Sequence, residues 1–209
     1  MLVNRTLAQV LSVAFHPLLL PTYLFAVILY YMPVSTLTLP FHIRWVVLAM
    51  IFFTTFILPG VAAYSMVHLG HLDSVEMERR EQRSLPLLFT GVCYAITAYL
   101  LHREANFDAL FYFVMGIIAA SVFLTYLISL FWKISAHSIG MGGGLGLLLV
   151  LNWLVPEAHM VVPIALGILL SGAVLTARLA LHAHTPAQVY AGFASGLLLA
   201  VVAAFAGGL

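Results

Sequence analysis

Long apolar runs, separated by short polar breaks, leave this chain few ways to fold. Residues 7–31, 44–66, 86–101, 107–132, 139–155, 160–176 and 186–205 are each dominated by aliphatic and aromatic side chains. The hydrocarbon core of a bilayer is crossed by about 20 apolar residues in helical form. Several of these runs meet that length. Within the bilayer each backbone N–H and C=O must be satisfied internally, which a helix does by itself. The expectation is an all-α fold: a polytopic transmembrane helix bundle of six to seven helices, forming one membrane domain over residues 1–209.

Composition agrees and removes other classes. The chain is 64% hydrophobic and 7% charged, with mean hydropathy +1.12, whereas soluble domains are roughly half apolar. A net charge of +1 supplies no basic field for nucleic acid. The single Cys93 cannot form an internal disulfide and reads as a small core residue. No small-residue cleavage site with polar sequence after it follows the first apolar run, so no cleavable signal peptide is expected. That first run contains His16-Pro17 and Pro21. Interior prolines remove helix hydrogen bonds, so this element is expected to be broken or re-entrant, with His16 bonding inside the kink.

Against this background three polar clusters stand out. The segment 67–84, VHLGHLDSVEMERREQRS, carries His68, His71, Asp73, Glu76, Glu78, Arg79, Arg80, Glu81 and Arg83. It reads either as a solvated interfacial helix with pairs such as Glu76–Arg80, or as a source of cations for an anionic ligand. The second cluster is Lys133-Ile134-Ser135-Ala136-His137-Ser138, at the start of a glycine-rich run. The glycines from Gly140 to Gly146, and Gly192 with Gly196, have the spacing that lets helices pack closely. The third cluster, ARLALHAHTPAQVYAG over 177–192, places Arg178, His182, His184 and Gln188 between two apolar runs. Thr185-Pro186-Ala187-Gln188 predicts a helix start, with threonine as cap, proline first and glutamine third. An arginine and a histidine beside a helix N-terminus form a phosphate site. Two runs separate Arg83 from His137 and two more separate His137 from Arg178, so all three clusters should emerge on one membrane face.

Arg178, five residues, His184, three residues and Gln188 resembles the third motif of the type-2 phosphatidic acid phosphatase superfamily: Ser-Arg, five residues, His, three residues, Asp. Ala177 stands for the serine and Gln188 for the aspartate. Ser135-Ala136-His137 is similar to that family's second motif, Pro-Ser-Gly-His, with Ile134 for the proline and Ala136 for the glycine. Arg79 or Arg80, then Arg83 and Pro86, imitate the first motif, a lysine, six residues and Arg-Pro. The matching region is 79–206.

The resemblance implies hydrolysis of a lipid phosphomonoester or isoprenyl (pyro)phosphate, without metal or cofactor, through a phosphohistidine. It implies His184 as nucleophile, His137 as general acid, and Gln188 where an aspartate would orient the nucleophile. Phosphate-binding residues would be Arg178, Arg83, Arg80, Lys133 and Ser135. The implied location is a bacterial inner membrane, with lipid phosphates as partners and homo-oligomerisation left open. The alternative is a catalytically weak or inactive relative that binds or moves lipid phosphates, because Gln188 brings no charge. A metal site from His182 and His184 with His68, His71 or Asp73 has no spaced second ligand set to support it. His182, four residues beyond Arg178, would share its face if the helix continued, and interfacial packing is its expected role.

Overall fold

The computed structural model describes residues 4–33, 37–77, 79–104 and 107–206. Glu78 of the charged segment lies outside them. The described residues contain no strand, and six helical segments are long and apolar enough to cross a membrane. The protein is an all-α, multi-pass membrane protein.

The first apolar run breaks as its prolines require. Helix α1 covers Arg5–Ala14 and α2 covers Leu20–Tyr31, separated by a kink at 15–19. In that kink His16 Nδ1 accepts the Leu18 amide at 3.3 Å. The expected bond within the kink is present. Helix α2 has 12 residues, about 18 Å at 1.5 Å per residue, well short of the roughly 30 Å hydrocarbon core. It nevertheless runs beside a longer neighbour. Leu20 and Leu24 lie against Gly140 and Gly144 of α7 (Ala136–Leu154), and the Tyr31 hydroxyl donates to the His159 carbonyl beyond α7's far end. Arg44, 1% exposed, donates through Nη1 to Leu29 O and through Nε to Leu39 O. Its cation sits where α2's last carbonyls lack partners, which suits both hydrogen bonding and the helix dipole.

The second span, Phe41–His68, is built from α3 (Arg44–Phe52), a π-helical turn at Phe53–Ile57, and α4 (Leu58–His68). Pro59 has no N–H to give the carbonyl four residues back, that of Thr55. The buried Tyr94 hydroxyl donates to Thr55 O at 3.0 Å. Tyr94 belongs to α5 (Ser84–Arg103), which forms a hairpin with α6 (Ala109–Ser129). The main apolar core lies between α2, α3, α5, α6 and α7, around Phe25, Ile28, Ile51, Tyr94, Phe111, Met115 and Leu147.

The last three helices are α7, α8 (Val161–Ala180) and α9 (Pro186–Ala206). Helices α7 and α9 pack backbone against backbone. A Cβ on Gly142 would meet the Phe193 carbonyl, and one on Gly196 would meet the Ile139 carbonyl. The glycine spacing is therefore used for helix packing, as expected. Outward-facing Leu88, Ile96, Leu169, Leu198 and Val202 are exposed and apolar, as lipid contact requires.

One expectation fails here. The described residues of 69–79 contain no α-helix, and among them Glu76 does not pair with Arg80 as a solvated interfacial helix would have it. Among the described residues the ion pairs there are Arg79–Asp73 at 3.8 Å and Arg80–Glu81 at 3.5 Å. Gly70, with φ +77, ends α4 and turns the chain back before a pairing helix can develop.

Candidate functional site

Three helix junctions meet at one end of the bundle: the entry to α5, the α6–α7 turn and the α8–α9 turn. Arg83 Nη1 donates to Ile134 O at 3.1 Å, and Ser135 N donates to Gln188 O at 3.4 Å. The three polar clusters thus share one face, in keeping with the count of spans between them.

Arg178 and His184 are placed by backbone geometry. Helix α8 ends at Ala180, and His182 adopts a left-handed conformation with φ 52. The Ala183 amide returns to Arg178 O at 3.2 Å and the His182 amide to Leu179 O at 3.0 Å. This pair of bonds is the Schellman closure of a helix C-terminus. The helix does not continue through His182, so that side chain leaves the Arg178 face and is exposed on the rim. Arg178 keeps its charge in the last helical turn, where the dipole favours a cation.

Helix α9 begins immediately afterward with the expected capping box. Gln188 N donates to Thr185 Oγ1 at 3.4 Å, and Thr185 N donates to Gln188 Oε1 at 3.2 Å. An amide N–H only donates, so this second bond identifies the oxygen end of the Gln188 amide. The same oxygen lies 3.1 Å from His184 Nδ1. Nδ1 must therefore carry the proton, leaving the lone pair of neutral His184 on Nε2. That nitrogen is the basic one of this tautomer.

His184 is 9% exposed and borders an open depression of about 440 Å³, lined also by Lys133, His182, Thr185, Pro186 and Gln188. Burial pushes its pKa down, the Gln188 hydrogen bond opposes this, and the charges of Arg83, Arg178 and Lys133 push it further, to about 4. It is neutral at pH 7. Because protonation is harder in the folded state than at the ordinary value of 6.5, the stabilisation from neutral His184 is complete above about pH 6.5. It is lost as pH falls toward 4. Thermal melts should therefore show wild type losing stability relative to His184→Gln as pH falls from about 6.5 to about 4. A constant difference over that range would contradict the burial of a neutral ring.

The other expected residues are distributed unequally. Arg83 is buried and also donates through Nε to Met77 O at 2.9 Å, which fixes its guanidinium. Arg178 Nε is buried with no hydrogen-bond partner among the described residues, and the charge of Glu76 reaches it. Arg80 directs Nη1 to Leu130 O at 2.7 Å and Nε to Glu81, and its charge is not among those acting on His184. Ser135 is fully buried as the α7 N-cap, its Oγ accepting from Ser138 N at 3.3 Å and contacting Ser138 Oγ at 2.9 Å. Its hydroxyl serves the helix start. His137 is half-buried, with Nε2 3.0 Å from Ser12 O and its ring edge-on to His16 at 5.7 Å. Ser12 was not singled out by any sequence signal. Among the described residues no three His, Cys, Asp or Glu side chains gather as metal ligands.

The fold and this end of the bundle define a multi-pass helical membrane protein with a neutral histidine held among three cations. No family model, curated protein or solved structure matches the chain.

Proposed function

We propose that the protein is a lipid phosphatase of the bacterial inner membrane, hydrolysing a lipid phosphomonoester or isoprenyl (pyro)phosphate through a phosphohistidine on His184. The observation that carries this reading is the state of His184: neutral, with Nδ1–H held by Gln188 and its Nε2 lone pair without a hydrogen-bond donor among the described residues, inside a field of three positive charges. A neutral imidazole is the form that attacks phosphorus. Arg83, Arg178 and Lys133 supply the charge that a phosphoryl group in transfer requires. The α9 N-terminus adds its dipole, and the apolar exterior delivers a substrate anchored in lipid.

The reaction would run in two displacements. His184 Nε2 forms a P–N bond as the lipid alkoxide leaves, and the alkoxide takes a proton from His137. Water then attacks the phosphorus, the P–N bond breaks, and inorganic phosphate departs. The test is phosphate release by the purified protein from phosphatidate, phosphatidylglycerol phosphate and isoprenyl diphosphate, with EDTA leaving the rate unchanged. No release from any of them would overturn the reading.

The second reading, a protein that binds or moves lipid phosphates without turnover, rests on Gln188. Its amide oxygen orients His184 but provides no negative charge to stabilise the phosphoimidazolium. Gln188→Glu keeps the side-chain length and both capping bonds while adding that charge. We expect phosphate release to rise by about tenfold or more, since loss of the comparable charge in a serine-protease triad costs about 10⁴. Saturable phosphatidate binding in both forms, with no release in either, would favour the second reading.

A further inference from the structure

Helix α1 lies against α8 beside the site, with Ala8 and Ser12 on its buried side. The Ser12 carbonyl is 3.0 Å from His137 Nε2. A carbonyl oxygen only accepts, so Nε2 carries a proton, and in the neutral ring the lone pair is on Nδ1. His16, in the kink after α1, is fixed in the same manner by a different backbone group. Its Nδ1 accepts the Leu18 amide, so its own proton is on Nε2. The two imidazoles then meet edge-to-face, with centroids 5.7 Å apart and planes at 81°.

Apolar packing alone does not account for this junction. Ser12 is 7% exposed, and its hydroxyl has no hydrogen-bond partner among the described residues; the same holds for Arg178 Nε. Burying such groups unpaired costs free energy that a purely structural contact would avoid with apolar side chains. The Ser12 carbonyl from α1 and the His16 ring from the kink touch His137, and Arg178 of α8 and His184 of the α8–α9 turn act on it electrostatically.

We propose that the segment from α1 through the kink is a working part of the site, in which the Ser12 carbonyl and the His16 ring position His137 so that Nδ1 is the nitrogen that serves the phosphate-bearing substrate. His16 is thus a positioning residue acting through His137. In turnover, Nδ1 takes a proton from the phosphate monoanion of the substrate and passes it to the leaving alkoxide, while Nε2 stays tied to α1. This role in turnover rests on the phosphatase reading, whereas the tautomer does not.

The test uses the full chain in nanodiscs with ¹⁵N-labelled histidine rings, the His137 signals being identified by their loss in His137→Gln. Near neutral pH we expect wild-type His137 as the single Nε2–H tautomer. His16→Ala should give a mixture of tautomers and lower kcat about tenfold with KM little changed. His16→Asn retains an acceptor for the Leu18 amide, so it repairs the kink without restoring the ring contact. Positioning by the ring predicts that His16→Asn behaves like His16→Ala. Full recovery in His16→Asn would reduce His16 to a kink residue and overturn the proposal. A wild-type Nδ1–H tautomer, or an unchanged tautomer in both variants, would overturn it as well. Absence of phosphate release from every substrate would count against the phosphatase reading alone, because the ring spectra still decide the positioning.

Discussion

His184→Ala should abolish phosphate release, lowering kcat by about 10⁴ or more. Removing the attacking group of a catalytic unit costs factors of up to about 10⁶, and what survives comes from binding and electrostatics alone. Here those survivors would be Arg83, Arg178, Lys133 and the α9 N-terminus, all of which the substitution leaves in place. His184 sits in the turn between α8 and α9, before the Thr185 cap, so its loss removes no helix-forming bond. Thr185 N retains Gln188 Oε1, and the capping box stays closed. The variant should therefore fold, bind phosphatidate with affinity within a few-fold of wild type, and fail at the chemical step. Brief acid-free denaturation of wild type during turnover should also trap an acid-labile phosphoryl group that His184→Ala lacks. Release that survives the substitution would refute the phosphohistidine and shift attention to His137.

The same segment shows what a sequence discloses and what it conceals. Thr185, Pro186 and Gln188 announce the start of α9 because capping is a local interaction between a few neighbouring residues. The end of α8 has no comparable signal. Its left-handed terminal residue is His182, where glycine or asparagine would ordinarily mark the stop. The sequence therefore leaves open whether the helix runs on and carries His182 onto the face of Arg178. The break between α1 and α2 could be read from Pro17 and Pro21, but the docking of α1 beside His137 could not. Ser12 reaches His137 through its backbone carbonyl, across 125 positions of sequence, and a carbonyl leaves no trace in residue identity. Likewise the charged segment favours Arg83 over Arg80 only by its place directly before an apolar run, and does not disclose that Arg83 is buried and held by Ile134 and Met77 while Arg80 is held by Leu130 and Glu81. That choice belongs to tertiary packing. The glycines were legible because close helix approach tolerates few other residues.

Those glycines set the second large effect. Gly142→Ala should destabilise the protein by about 3 kcal/mol, the upper part of the overpacking range, and lower its melting temperature by about 5 °C or more. The added methyl would overlap the Phe193 carbonyl, a backbone atom that cannot rotate away as a side chain can. Relief requires α9 to withdraw from α7. Gly172→Ala is the control, since a Cβ there meets nothing within 4 Å and alanine favours the helix. The consequence reaches beyond stability. A Cβ built on Gly192 lies only 3.0 Å from Ser135 O, so the start of α7 and the first turns of α9 are already in contact. Ser135 and His137 ride on one of these helices, and Gln188 with its hold on His184 rides on the other. A separation of about 1 Å is enough to cost some 10²-fold when reacting groups lose alignment. Gly142→Ala that remains folded should therefore lose phosphate release more steeply than phosphatidate binding. Melting and release equal to those of Gly172→Ala would mean that α7 and α9 are not held at backbone contact.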